Sequence, residues 1–129
     1  MIRQHFDPVS STYSYLVIDG ASRDAVLIDP VLGQHTRDAA LVRELGAHLL
    51  LTLETHCHAD HVTGAWRMKQ AFGSRIGLAA AYGASNVDLP LEHGMVVRFG
   101  QAALEVRATP GHTACCLSYL MPDRSAVFT

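Results

Sequence analysis

The chain has 129 residues, of which 49% are hydrophobic and 17% are charged. This composition is typical of a soluble globular protein with one core of ordinary size. Ten Lys and Arg residues against twelve Asp and Glu residues give a formal net charge of -2, and no run of basic residues occurs. The charge pattern therefore gives no indication of a nucleic-acid partner. No apolar run approaches the roughly 20 residues that cross a bilayer, so we expect no membrane association.

Cysteine usage and the first residues indicate the cellular compartment. Three cysteines cannot all pair, and ordinary disulfide geometry disfavours a bond between the adjacent Cys115 and Cys116. We interpret both, and Cys57, as packed thiols in a reducing compartment. Residues 1–5 show no apolar signal-peptide segment. We therefore expect a cytoplasmic bacterial protein or a mature mitochondrial one, and a homodimer is compatible with the sequence.

The first half of the chain predicts the order strand, strand, helix, strand. Apolar runs at Tyr13–Ile18 and Ala25–Ile28, with an Asp-Gly turn between them, predict a hairpin. Apolar residues near helical spacing predict an amphipathic helix over Thr36–Leu45. The non-alternating apolar run His48–Leu53 is typical of a central strand that is buried on both faces.

The second half begins with a helix and continues mainly as strands. Apolar spacing predicts a helix from His61 to about Phe72, ended by Gly73. Short apolar runs predict five further strands, at Ile76–Ala79, Met95–Phe99, Ala103–Ala108, Cys116–Leu120 and Ala126–Phe128. Because the sequence stops at Thr129, within the last apolar run, we expect residues 1–129 to be the N-terminal portion of a single larger domain.

Histidine is concentrated in the run Thr55-His56-Cys57-His58-Ala59-Asp60-His61, on the predicted loop between a strand and a helix. Two imidazoles that are two residues apart on an irregular loop can converge on one cation. The following aspartate and third histidine add ligands of the type that zinc, iron and manganese favour. The clustering therefore predicts a metal site, although an exposed polar loop without a ligand role is the alternative.

A fourth histidine is placed to join this site from far along the chain. In Thr109-Pro110-Gly111-His112-Thr113, the Pro-Gly pair predicts a sharp turn directly after a strand. A lone histidine after a turn is more often a surface residue, so His112 gains weight only from its pairing with the first motif. The other histidines, His5, His35, His48 and His93, are scattered and are not expected in the site.

Three other residues have competing interpretations. Asp60 could cap the second predicted helix without binding a metal. Asp29, which precedes Pro30, is either a turn former or a hydrogen-bond acceptor for a ligand histidine. Trp66 has helical spacing with apolar neighbours and is expected in the core.

The histidine motif, the later Gly111-His112-Thr113 and the order of elements together resemble the metallo-β-lactamase superfamily. Three runs, Phe6–Tyr13, Ala25–Val31 and Thr55–Gly64, more specifically resemble its persulfide dioxygenases, also called sulfur dioxygenases. The resemblance implies an α/β fold of the αββα sandwich type, of which this chain supplies the N-terminal half and a few following strands.

The resemblance also implies a function and a ligand set. One Fe(II) per chain would be held by His56, by His112 and by an aspartate in a later Phe-Thr-Gly-Asp run, of which Phe128-Thr129 matches the beginning. His58, Asp60 and His61 would orient the ligands through hydrogen bonds. The implied reaction oxidises glutathione persulfide with O2 to sulfite and glutathione.

Two rival functions remain open from the sequence. A glyoxalase II-type thioester hydrolase would use two metals, such as zinc, with His56, His58 and His112 at one and Asp60 and His61 at the other. Alternatively, the chain as it stands is an inactive fragment or a binding module. The histidine loop alone does not distinguish these functions from a dioxygenase.

Overall fold

A six-stranded sheet and a four-stranded sheet make up most of the computed structural model, which describes residues 1–129. The first sheet contains, in spatial order, β1 (Ile2–Asp7), β2 (Thr12–Ile18), β3 (Asp24–Ile28), β4 (His48–Leu53), β5 (Arg75–Ala79) and β6 (Leu89–Leu91). The second contains β7 (Val96–Phe99), β8 (Ala102–Ala108), β9 (Leu117–Leu120) and β10 (Val127–Phe128), in the order β10-β9-β8-β7. The helices are α1 (His35–Glu44) and α2 (Ala65–Phe72), and 3-10 turns span Leu32–Gln34 and Ala80–Tyr82.

Strand direction decides where the loops of the first sheet meet. Strands β1, β2 and β3 pair antiparallel, whereas β3, β4, β5 and β6 pair parallel. The carboxyl ends of neighbouring parallel strands lie at the same edge of a sheet, which is where α/β proteins commonly place their functional groups. The residues that follow Ile28 and Leu53 therefore lie side by side, and the histidine loop follows Leu53.

The two faces of the first sheet are covered by different layers. One face packs against the second sheet around a cluster of 14 buried residues that includes Leu53, Phe99 and Tyr119. The other face packs against the two helices through eight buried residues, including Val42 and Met68. Full burial of one such side chain contributes roughly 1.5–3 kcal/mol to folding. The result is a helix, sheet, sheet order of layers, in agreement with the sandwich expected from the sequence.

The second helix begins four residues later than the sequence predicts. It starts at Ala65, with Gly64 as the N-cap residue. Residues 62–64 are held outside the helix because Val62 O accepts from Leu32 N–H and Gly64 N–H donates to Pro30 O. An added Cβ at Gly64 would lie 3.1 Å from a backbone oxygen, so this close approach favours glycine. Asp60 is therefore not the helix cap.

Trp66 was expected in the core, and this expectation is wrong. The side chain is 54% exposed, whereas Ala65 and Met68 of the same helix are fully buried. Residues three apart lie on one helical face, so Ala65 and Met68 define the inner side and Trp66 lies away from it.

The other elements follow the predictions closely, but the edge strands β1 and β6 were not predicted. The predicted hairpin forms at β2–β3, and further hairpins join β7 to β8 and β9 to β10. The edge strand β1 has mostly exposed residues and no clear apolar alternation. The other edge strand, β6, has three residues and contains Pro90, a residue tolerated mainly at sheet edges. No helix is both long and apolar enough to cross a membrane.

Candidate metal centre

The candidate site lies where the edges of the two sheets meet. The first sheet contributes Asp29 after β3 and the segment Glu54–Thr63 after β4, and the second sheet contributes His112 from the loop between β8 and β9. These residues line a cleft of about 510 Å³, whose walls include Thr12, Asp29, Thr55, His56, His58, Asp60 and His112. The structure thus brings together the two histidine motifs, which are separated by about fifty residues in the sequence.

Four imidazole rings form a continuous row along this cleft. The ring centroids of His112 and His56 are 4.9 Å apart, those of His56 and His58 are 4.0 Å apart, and those of His58 and His61 are 4.2 Å apart. His112 is exposed at one end of the row, and the His61 side chain is 5% exposed at the other. The row places all four histidines predicted from the sequence in one site.

Asp29 anchors the base of the histidine loop from the neighbouring strand. Its Oδ1 accepts from the backbone N–H of Thr55 at 2.7 Å, and its Oδ2 accepts from the Thr55 hydroxyl at 2.8 Å. Its Oδ1 also lies 3.2 Å from Nε2 of His58. Asp29 has a φ of 50°, in the left-handed region that Asp and Asn tolerate better than most residues. Of the two interpretations of Asp29, the structure therefore shows an acceptor for a site histidine.

A second buried carboxylate, Glu54, approaches the same nitrogen of His58. Its Oε2 lies 3.3 Å from His58 Nε2, and its Oε1 accepts a hydrogen bond from the Thr63 hydroxyl. Burial raises the pKa of the Glu54 carboxyl. Burial alone would lower the pKa of His58, but its hydrogen bonds to Asp29 and Glu54 outweigh this effect and raise the pKa to about 10. In the metal-free protein these two carboxyl groups therefore favour the protonated form of His58.

Asp60 and His61 form a second polar cluster with Thr12 from the start of β2. The Asp60 Oδ1 lies 3.3 Å from His61 Nδ1 and 3.9 Å from His58 Nδ1. The Thr12 hydroxyl lies 3.3 Å from Asp60 Oδ2 and 3.2 Å from His61 Nδ1. Burial alone would raise the pKa of Asp60, but hydrogen bonds and the neighbouring histidines lower it below its usual value. Asp60 is thus an ionised acceptor for the histidine row.

Hydrogen bonds from β9 of the second sheet fix the start of the histidine loop. The Tyr119 hydroxyl donates to the carbonyl oxygen of Glu54 at 2.6 Å, and the Leu117 N–H donates to the carbonyl oxygen of Thr55 at 2.8 Å. Tyr119 is fully buried. These bonds join β9 to the end of β4, so the base of the loop is attached to both sheets.

The donor set fits a transition metal. His58, Asp60 and His61 each offer one ligand atom within 4.8 Å of the others. The Nε2 atom of His61 is buried without a hydrogen-bond partner, which is costly unless it binds a ligand. Burial, followed by the neighbouring His58, lowers the pKa of His56, and metals bind the neutral imidazole that this favours. Imidazole and carboxylate donors suit iron and zinc.

Sequence reasoning missed several residues of the site and misjudged one. Glu54, Thr12, Tyr82 and Tyr119 all contact the histidine loop. Only Glu54, next to the motif, gave a signal in the sequence, as a charged residue at the end of an apolar strand. Cys57 is exposed rather than packed. The scattered histidines lie elsewhere, for example His5 beside Asp38.

Comparisons with known proteins agree with this architecture. The sequence profile described as the Metallo-beta-lactamase superfamily matches residues 7–129. The mitochondrial persulfide dioxygenase ETHE1 of Homo sapiens is 46% identical to the chain over 129 residues, which is all of this chain and 51% of that protein. A hydroxyacylglutathione hydrolase of Cereibacter sphaeroides is 35% identical over 124 residues, which is 94% of this chain and 48% of that protein.

A solved structure supports the same relationship. The crystal structure of ETHE1 from Myxococcus xanthus superimposes with a TM-score of 0.90 at 45% identity, over 95% of this chain and 54% of that one. The chain therefore spans about half the length of the curated relatives that it matches. From its sequence profile, its two-sheet fold and its histidine row, the chain belongs to the metallo-β-lactamase superfamily.

Proposed function

We propose that residues 1–129 form the N-terminal portion of a metallo-β-lactamase-like domain that acts as a persulfide dioxygenase. The domain would oxidise glutathione persulfide with O2 at a single Fe(II) ion. Identity of 46% to a persulfide dioxygenase, against 35% to a hydroxyacylglutathione hydrolase, supports this choice of activity. The mitochondrial relatives also support a mature mitochondrial location. The alternative from the sequence is the cytoplasm of a bacterium.

The observation that carries the proposal is that carboxylates lie against His58 and His61 but not against His56 or His112. The Nε2 of His58 lies against two buried carboxylates, and Nδ1 of His61 lies against Asp60 and Thr12. His56 uses only Nδ1, which lies 2.9 Å from the Thr55 hydroxyl, so its Nε2 remains available. We therefore assign His56 and the exposed His112 as the metal ligands from this chain, with His58, Asp60 and His61 orienting them.

Two histidines and one carboxylate are a common ligand set for iron that reacts with O2. Iron in such a site supplies redox chemistry between O2 and the persulfide sulfur. The reaction balances because one glutathione persulfide, one O2 and one water give one glutathione and one sulfurous acid, which ionises to sulfite. The sulfur–sulfur bond breaks, and the electrons lost by the persulfide are those that reduce O2.

The protein's own groups would hold the substrate beside the metal. The cleft of about 510 Å³ is open to solvent along the histidine row and is large enough for part of a tripeptide thiol. Ser11 lies on its wall, and its hydroxyl can donate a hydrogen bond to a polar ligand. We expect substrate to approach from the side of His112, the most exposed of the four imidazoles.

A specific observation favours the hydrolase as the second candidate. The buried Nε2 of His61 has no partner, and His61 lies next to Asp60 and His58 with ligand atoms inside 4.8 Å. A second metal there would satisfy this nitrogen and would give a glyoxalase II-type thioester hydrolase with two metals. Metal stoichiometry therefore separates the two candidates.

The test compares the 129-residue chain with the product of its complete gene, each loaded anaerobically with Fe(II). The proposal predicts about one iron per chain in the complete product, together with O2 uptake and sulfite formation from glutathione persulfide. His56→Ala and His112→Ala should abolish iron binding and persulfide oxidation, whereas the control His35→Ala, at the start of α1 and outside the cleft, should not.

Two other results would support the alternative functions. Binding of two metals with hydrolysis of S-lactoylglutathione, and no O2 uptake, would overturn the dioxygenase in favour of the hydrolase. Persulfide oxidation by the complete product but not by residues 1–129 would show that this chain alone is an inactive fragment.

A further inference from the structure

One tyrosine hydroxyl lies between the two loops that carry the histidines. Tyr82 is the last residue of the 3-10 turn after β5. Its Oη accepts a hydrogen bond from the backbone N–H of Cys57 at 3.1 Å and lies 2.9 Å from Oγ1 of Thr113. Cys57 separates His56 from His58, and Thr113 directly follows His112. A single side chain therefore joins the two histidine segments across the cleft.

The directions of these hydrogen bonds are consistent with one another. The backbone N–H of Cys57 can only donate, so the Tyr82 oxygen accepts from it and its own proton is available to Thr113 Oγ1. The Thr113 hydroxyl can then donate to Cys116 Sγ, which lies at 3.2 Å. In this arrangement every hydroxyl proton has a partner, so the orientation of the Tyr82 hydroxyl is well defined.

The rest of Tyr82 has a separate role from its hydroxyl. Its ring packs, partly buried, against the core between the two sheets. The other hydrogen bonds of residues 109–113, such as those from Gly111 N–H to Thr113 O and from Thr109 N–H to Cys116 O, reach no further than Ser118 in β9. Removing only the hydroxyl would thus leave the packing in place but would release the two histidine segments from each other near their tips.

We propose that Tyr82 is a positioning residue, whose hydroxyl sets the separation between His56 and His112. The inference rests on the proposed metal role of these two histidines. Their ring centroids lie 4.9 Å apart at an interplanar angle of 85°, and no hydrogen bond joins the rings directly. Groups that orient metal ligands commonly change metal affinity by about 10–100-fold when removed. Tyr82 acts on the backbone beside the ligands, so we place its effect at the lower end of this range.

The experiment titrates the metal-free 129-residue chain with Co(II) and follows the visible absorption bands, which report ligand geometry. Tyr82→Phe should bind Co(II) about tenfold more weakly and should show altered bands at saturation. Thr113→Val should weaken Co(II) binding and alter the bands in the same way. The double variant should bind Co(II) as tightly as either single variant, because both substitutions remove the same hydrogen bond. Thr113→Ser keeps a hydroxyl and should restore the wild-type affinity and spectrum.

Ser125→Ala is the matched control for loss of a hydroxyl. Ser125 bonds to Asp123 in the turn between β9 and β10, at the end of the second sheet opposite to His112. This variant should bind Co(II) as the wild-type chain does. If Tyr82→Phe unfolds, as seen by circular dichroism, the Thr113→Val and Thr113→Ser pair decides the question by itself.

The outcomes separate this inference from the proposed function. Wild-type affinity and an unchanged spectrum in both Tyr82→Phe and Thr113→Val would overturn the role of Tyr82 and leave the dioxygenase proposal intact. If the wild-type chain binds no Co(II), the same variants are titrated in the product of the complete gene, which would supply the third ligand. Failure of that product to bind Co(II) would overturn both proposals, because the two histidines would then not form a metal site.

Discussion

Replacement of Asp29 should expose how strongly the histidine loop depends on one buried carboxylate. Asp29 is 5% exposed and contacts the Thr55 N–H, the Thr55 hydroxyl and His58 Nε2 at 2.7, 2.8 and 3.2 Å. Asp29→Ala removes all three acceptor contacts. The buried Thr55 N–H then has lost its acceptor. The buried imidazolium of His58 keeps Glu54 as the remaining partner of its Nε2.

The expected loss follows from these contacts. A hydrogen bond to a charged group contributes about 1.5–3 kcal/mol, but bonds that share one carboxylate are not additive. Removing one partner of a buried ion pair costs about 3–5 kcal/mol, and we expect Asp29→Ala to fall in this range. Since small domains have a free energy of unfolding of roughly 5–15 kcal/mol, the variant should be close to unfolded.

Asp29→Asn is the matched variant. Asn has the same shape and also tolerates the φ of 50° found at this position, so it separates loss of charge from backbone strain. Its amide oxygen can still accept from Thr55, and we expect a loss of about 1–2 kcal/mol. The pKa of His58, now about 10, should fall because one of its two anionic partners has been removed.

Urea unfolding of the metal-free chain at neutral pH measures the free energies of unfolding, and NMR of the histidine ring protons measures the pKa of His58. Two results would refute the reasoning. One is a loss below about 1 kcal/mol for Asp29→Ala, which lies within the range of an ordinary surface substitution. The other is an unchanged His58 pKa in Asp29→Asn.

Three further predictions concern groups around the site. Gly77→Ala should reduce the free energy of unfolding by roughly 1–3 kcal/mol, because the new Cβ would lie 2.8 Å from Leu53 Cδ2; an unchanged urea midpoint would contradict this packing. Tyr119→Phe should cost about 1–3 kcal/mol in the same assay, since it leaves the buried Glu54 carbonyl without its donor. The Ser10 hydroxyl and N–H lower the pKa of Asp7 from 3.8 to about 2. The stability that this carboxylate contributes is therefore present above pH 3.8 and is lost as the pH falls through about 2. Acid unfolding followed by circular dichroism should accordingly be less steep in Asp7→Asn than in the wild-type chain.

The sequence predicts elements well where local pattern and tertiary packing agree. The run His48–Leu53 is apolar because β4 lies in the middle of the first sheet, and its limits were predicted to the residue. The start of α2 was not predicted correctly, because residues 62–64 are held by hydrogen bonds to Pro30 and Leu32, which lie at least thirty residues earlier in the chain. Periodicity reports which face of a segment is buried, but not which distant backbone holds it.

The same distinction applies to the site. His56, His58 and His61 were recognisable because one short loop carries them, and the two-residue spacing itself indicates chelation. Thr12 and Tyr82 could not be identified, since each reaches the loop from a different strand or turn through a single hydroxyl. Serine, threonine and tyrosine hydroxyls are common on protein surfaces, so position in the fold, rather than residue type, gives these two their role.

The contacts behind the row also fix which ring nitrogen of each loop histidine is left free. Carboxylates hold Nε2 of His58, which leaves Nδ1 as the nitrogen that faces Asp60 and the cleft. The Thr55 hydroxyl holds Nδ1 of His56, which leaves Nε2. The residues at the ends of β3 and β4 therefore select which nitrogen the proposed ligand His56 presents to a metal, and they orient His58 so that its Nδ1 lies towards Asp60.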